Sequence, residues 1–151
     1  IQEKALGAGH FQVAATSYNI AAAALLARNY TRAEPAAVRA EAYFAQHNPG
    51  GLRHIYSMNL HAKALSGLGH HAAALALAER SIALAGTNPD NGEAAIGASV
   101  EIARALLGLR RDLDRAASLL DVARAEYGKF PDAFAMTLRD IDALRAAVQK
   151  R

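Results

Sequence analysis

The sequence predicts an all-α fold, an α-α superhelix made of three helix pairs and a C-terminal capping helix. Three observations predict it. Apolar residues recur at helical spacing in one segment after another. Turn-forming residues interrupt these segments before His10, Pro49, Pro89 and Pro131, at intervals of about 39, 40 and 42 residues. A small residue recurs at the same place in each second helix, at Ala33, Ala74 and Ala116, with spacings of 41 and 42. A period of this length marks a solenoid, in which each helix pair buries its apolar face only against its neighbours.

Gln2 to Leu6 read as the end of a helix that begins earlier, and Gly7-Ala8-Gly9 breaks it. The chain has no initiator Met, so it is expected to be a piece of a longer protein. The first repeat spans 10–47. Its first helix is expected from His10 to Ala27, with Val13, Tyr18, Ile20, Ala21, Ala24 and Leu25 as packing positions. Arg28-Asn29 makes the turn. The second helix runs from Thr31 to His47, with Pro35 placed in its first turn, where a missing N–H is harmless. Asn48-Pro49-Gly50-Gly51 ends the repeat.

The second repeat spans 49–86, and its segment Leu60 to Ala85 carries the clearest pattern. Leu60, Ala64, Leu65 and Leu68 form one apolar face. Gly69 follows, where a helix end favours a residue free to take positive φ. Ala74, Leu75, Ala78, Ile82 and Ala85 form the second face. Ala62, Ala74 and Ala78 would let helix backbones approach closely, and a bulkier group there would overpack the contact at a cost of ~1–3 kcal/mol. Asn88 is a good N-cap, and Pro89 suits the first turn of the next helix.

The third repeat spans 89–128, with helices from Pro89 to Leu109 and from Leu113 to Tyr127 around the turn Arg110-Arg111-Asp112. The capping helix occupies 131–150, starting at Asp132. Phe134, Leu138, Ile141, Leu144 and Val148 keep a three-four rhythm, with Arg139, Asp140, Asp142 and Arg145 assigned largely to the other side.

Aligning the second helices gives Tyr30, Ala33, Ala37, Ala40; then His71, Ala74, Ala78, Ser81; then Leu113, Ala116, Leu120, Ala123. These residues, with Leu65, Leu68-Gly69 and Asn19-Ile20-Ala21, resemble the tetratricopeptide repeat. The usual repeat of that family is about 34 residues. The longer period resembles the variety found in kinesin light chains and many bacterial signalling proteins. Leu6-Gly7-Ala8-Gly9-His10 is similar to that variety's Leu-Gly-x-x-His-Pro linker, with Phe11 in place of Pro. The segment from Ala103 to Tyr127 and onward also resembles the C-terminal end of repeat domains attached to bacterial Ser/Thr kinases, although no kinase motif is present.

The resemblance implies a superhelix whose first helices line a concave face and hold a peptide or partner protein there. The matching positions are Tyr18 and Asn19 in the first repeat, Tyr56, Asn59 and Lys63 in the second, and Glu101 and Arg104 in the third. An Asn can both donate to and accept from a peptide backbone. Lys63 and Arg104 would suit an acidic segment. The function expected is therefore a protein-interaction scaffold, the regulatory or sensing part of a bacterial signalling protein such as a Ser/Thr kinase or transcriptional regulator. The alternative is an architectural or dimerisation segment that controls an attached enzymatic domain, with a homodimer as its partner state.

Composition narrows the classes. The chain has 151 residues, 52% hydrophobic and 21% charged, which suits one globular domain. It has no Cys, which excludes a disulfide framework and thiolate metal sites and fits a cytoplasmic compartment. The net charge is +3 and the cations are scattered, so no nucleic-acid partner is expected. The apolar runs are too short for a membrane span, and no signal peptide is visible.

No catalytic residue, metal site or cofactor is expected. His54 and His61 are seven apart without a carboxylate at ligand spacing, and read as surface or groove histidines. His71 in the aromatic slot reads as packing. Gly67 to Ala72 matches G-x-G-x-x-A, but that fingerprint requires a preceding strand and here a helix precedes it. Asp112 and Asp114 read as capping and dipole-complementing residues. No G-x-S-x-G, H-E-x-x-H or Walker pattern occurs, so the chain itself is not read as an enzyme.

Overall fold

The computed structural model describes residues 10–150, all in helices and turns with no strand among them. The helix end and glycine break assigned to residues 1–9 lie outside the described residues. Seven α-helices follow in order: α1 Phe11–Leu26, α2 Tyr30–His47, α3 Leu52–Gly67, α4 His71–Ala85, α5 Gly92–Leu109, α6 Leu113–Tyr127 and α7 Ala135–Gln149. A short 3-10 turn, Pro89–Asn91, precedes α5.

Each helix packs on the one that follows it. The odd-numbered helices also pack in succession, α1 on α3, α3 on α5 and α5 on α7. No comparable packing joins the even-numbered helices among the described residues.

The repeated small positions are where the helices meet. Ala33, Ala37, Ala40, Ala74, Ala78, Ser81, Ala116, Leu120 and Ala123 are all fully buried. Larger side chains fill the space between, led by Ile55, Met58, Ile102, Leu106 and Ile141. Full burial of one such side chain contributes ~1.5–3 kcal/mol. Two expected packing positions differ: Ile20 is exposed and Tyr18 only half-buried. Ala14 and Ser17 take the inner face of α1 beside Val13 and Ala21.

The turns inside the pairs share one geometry. Arg28, Gly69 and Arg110, spaced by 41 residues, all have positive φ, at 54°, 83° and 51°. Behind each, the next N–H reaches back five residues to a carbonyl: Asn29 to Ala24 at 2.8 Å, His70 to Leu65 at 2.9 Å, Arg111 to Leu106 at 3.1 Å. This closure satisfies helix-end carbonyls that would otherwise lack partners. The two arginines hold a conformation better suited to glycine, so the packing of the flanking helices offsets the strain of the turn there.

Between pairs, Asn91 is buried and its Nδ2 donates to the Gly50 carbonyl at 2.8 Å, tying one linker to the next. Asn88 accepts from the Asp90 N–H as an N-cap does.

Three local expectations are corrected. Pro35 lies in the second turn of α2 rather than its first, because the helix begins at Tyr30 under the Asn29 cap. Asp112 precedes α6 but makes no side-chain cap bond, since its positive φ of 50° turns it away from that role. The seventh helix begins at Ala135, after a turn in which Phe134 packs on Tyr127 with ring centroids 4.7 Å apart.

Candidate face formed by the odd-numbered helices

The chain places Tyr18 on α1, Tyr56, Asn59 and Lys63 on α3, and Glu101 and Arg104 on α5. Because α1, α3, α5 and α7 pack in succession, these side chains fall in two groups along neighbouring helices.

The first group is phenolic. Tyr18 and Tyr56 are half-buried and both lie in the electrostatic reach of Glu93, in the first turn of α5. Burial pushes the Tyr18 hydroxyl up, the Arg53 charge opposes this, and Glu93 adds to it. Burial also pushes the Tyr56 hydroxyl up, reinforced by the charge of Glu93 and a hydrogen bond to it. Tyr127 joins from α6, its hydroxyl 3.5 Å from the Glu93 carbonyl and pushed up to about 12 by burial and then by Glu93 and Glu101. All three phenols therefore stay protonated donors across ordinary pH.

The second group is ionic and closes on itself. Lys63 Nζ lies 3.1 Å from Asp140 Oδ2 on α7. Arg104 reaches the same carboxylate through both terminal nitrogens, at 3.3 Å and 2.5 Å, while its Nε donates to Glu101 at 2.8 Å. Burial alone would raise the Asp140 carboxyl, but the Arg104 hydrogen bond and charge, with Lys63 behind them, hold it below the usual carboxylate range. Burial disfavours the Arg104 charge, yet Glu101 and Asp140 outweigh it and drive its pKa well above the ordinary value. Lys63 and Arg104 are both engaged by one carboxylate of the chain's own last helix. The charges of α7 thus pin it on both flanks, since Asp142 pairs with Arg124 and Arg145 with Asp121, each at 2.7 Å.

Asn59 has a different setting from the open one expected of it. Its Nδ2 donates to the Ala94 carbonyl at 2.9 Å, and its Oδ1 accepts from Ser81 Oγ at 2.7 Å. One amide thereby joins α3, α4 and α5. Gly97 makes room, because a Cβ there would stand 3.1 Å from Asn59 Nδ2. Asn19 is exposed and lines a separate depression of about 380 Å³ with Thr16, Ile20 and Arg32, apart from the phenolic group.

His54 and His61 have protein partners. His54 is buried rather than on the surface, and its Nδ1 accepts from the Gly50 N–H at 3.0 Å. His61 pairs with Glu41 at 2.6 Å. Among the described residues, no three His, Asp or Glu side chains gather as metal ligands would, and no helix is long and apolar enough to cross a membrane.

Glu93 completes the phenolic group without any sequence signal, Asp140 turns inward to the cations although its place in the helical rhythm assigns it to the outer side, and Ser81 meets Asn59 from a position read only as packing. Their partners lie 22 to 77 residues away, so no local pattern announces them. Compared with known proteins, the chain matches no family model, no curated sequence and no solved structure.

Proposed function

We propose that this chain is a tetratricopeptide-like solenoid that serves as a protein-interaction scaffold, the regulatory or sensing part of a bacterial signalling protein. The observation that carries the reading is the packing order. Among the described residues each helix packs on the next, and the odd-numbered helices also pack on the next but one, whereas α4 and α6 meet through the exposed Glu79–Arg115 ion pair. Helices stacked in this way share a continuous face on one side, and in the solenoid reading that face is the concave one.

The part of the face left for a guest is the phenolic group. Tyr18 and Tyr56 offer amphipathic surface of the kind enriched at protein interfaces, and Glu93 adds a carboxylate beside them. Asn59 supports this surface from behind. The test is a pulldown from a peptide library followed by affinity measurement. Tyr18→Ala and Tyr56→Ala should each weaken the captured peptide at least tenfold with helicity unchanged. Undiminished binding in both variants would count against the groove.

The architectural reading is favoured by a separate observation, the self-closed cluster of Lys63, Arg104, Glu101 and Asp140. A basic surface already filled from within stiffens the array instead of recruiting an acidic partner. Light scattering separates the two readings: a concentration-dependent dimer with no peptide captured supports the architectural one.

A further inference from the structure

In the first two cases the first residue of an even-numbered helix meets the last turn of the odd-numbered helix that follows. At the first such interface the Tyr30 ring stands over Gly67, so close that a Cβ on the glycine would collide with it. At the second, 41 residues on, the His71 ring stands over Gly108 in the same way. At the third, the residue is Leu113, and the last turn of α7 offers Ala147 and Lys150. No ring is present. A cavity of about 540 Å³ opens there, lined by Leu107, Arg110, Leu113, Ala147 and Lys150.

We propose that this cavity binds a planar aromatic group carrying a carboxylate, the ring lying among Leu107, Leu113 and Ala147 and filling an interface that a side-chain ring fills in the two preceding cases. The size falls within the usual range of small-ligand sites, and the floor is aliphatic. Two cations stand at its edge. Arg110 is held there by the positive-φ turn, and neither Arg110 nor Lys150 is engaged in the ion pairs that join the other helices. A guanidinium and an ammonium beside an apolar slot match a ring with an anionic arm. The site is separate from the face of the odd-numbered helices, so its failure would leave the groove reading standing.

The shared chemistry has two sources, a free arylacetate-type metabolite and the C-terminal Phe or Tyr of a peptide. Phenylacetate and Gly-Gly-Phe with a free carboxylate are titrated into the protein while methyl NMR signals of Leu107, Leu113 and Ala147 are followed. Saturable shifts at those methyls support the site. Shifts with the tripeptide alone assign it to a chain terminus, and shifts with both extend it to free metabolites. Leu113→Tyr should fill the slot and weaken binding at least tenfold. Arg110→Gly, which suits the positive φ and mimics Gly69, should do the same while the melting temperature holds. Unmoved methyl signals at millimolar probe, equal affinity in Leu113→Tyr, or equal binding of phenylacetamide would each overturn the proposal.

Discussion

The ring of Tyr30 covers Gly67, and 41 residues later the ring of His71 covers Gly108. A glycine on the last turn of one helix thus serves as the floor for the first side chain of another. Adding a methyl group at either glycine forces the ring out of its seat. Gly67→Ala and Gly108→Ala should each destabilise by ~1–3 kcal/mol in urea unfolding. Pairing Gly67→Ala with Tyr30→Ala should cost less than the sum of the single changes, because the two residues share one contact. Strict additivity would show that ring and glycine do not meet.

Asn59 yields the second prediction. Truncating it leaves the Ser81 hydroxyl without its acceptor in a fully buried position, and frees the link to Ala94. Asn59→Ala should lower stability by ~1–3 kcal/mol, and amides near Ala94 should exchange faster. A variant of unchanged stability would mean that Asn59 faces solvent after all.

The regular part of this architecture was legible because it recurs. Ala33, Ala74 and Ala116 could be placed in the core from spacing alone, since three copies of one contact reinforce one another. The glycine floors carry the same signal, as Gly67 and Gly108 are spaced like Tyr30 and His71, but Gly69, two residues from the first of them, is explained by the turn and masks it. The ion cluster carried no such signal. Lys63 and Asp140 lie 77 residues apart and meet only because α3, α5 and α7 stack. Periodicity reports which face of a helix is inward, whereas a cross-helix ion pair depends on three-dimensional register.

Asp140 tests that register. Asp140→Asn removes the acceptor charge shared by Lys63 and Arg104, and charged hydrogen bonds of this kind contribute ~1.5–3 kcal/mol each where they are well screened from water. Because Asp140 is half-buried, a loss near the lower figure is expected. Its carboxyl is held below the ordinary value of 3.8 in the folded chain. The stabilisation is therefore complete above that value and is lost as pH falls through it toward the lower folded value. Comparing guanidinium midpoints at pH 7 and pH 3 should show a smaller acid-induced loss attributable to this site in Asp140→Asn than in the parent. Equal losses would place Asp140 away from both cations.

His54 behaves in the opposite chemical sense with the same direction in pH. Burial is the main cause that lowers its pKa, with Glu41 opposing and Arg80 assisting, and its Nδ1 lone pair is occupied by the Gly50 N–H. Protonation needs that lone pair, so it must break the bond and place a charge in a buried site. Above the ordinary imidazole value of 6.5 the ring is neutral in folded and unfolded chains alike, and the site contributes fully. As pH falls below 6.5, the unfolded chain takes up a proton that the folded chain resists, and stability declines until the folded value is passed. The informative quantity is the difference between variant and parent. Urea midpoints measured from pH 7.5 to 5 should fall less steeply in His54→Gln, whose amide can still accept from Gly50, than in the parent chain. Parallel curves would mean that His54 is free to take its proton in the folded state.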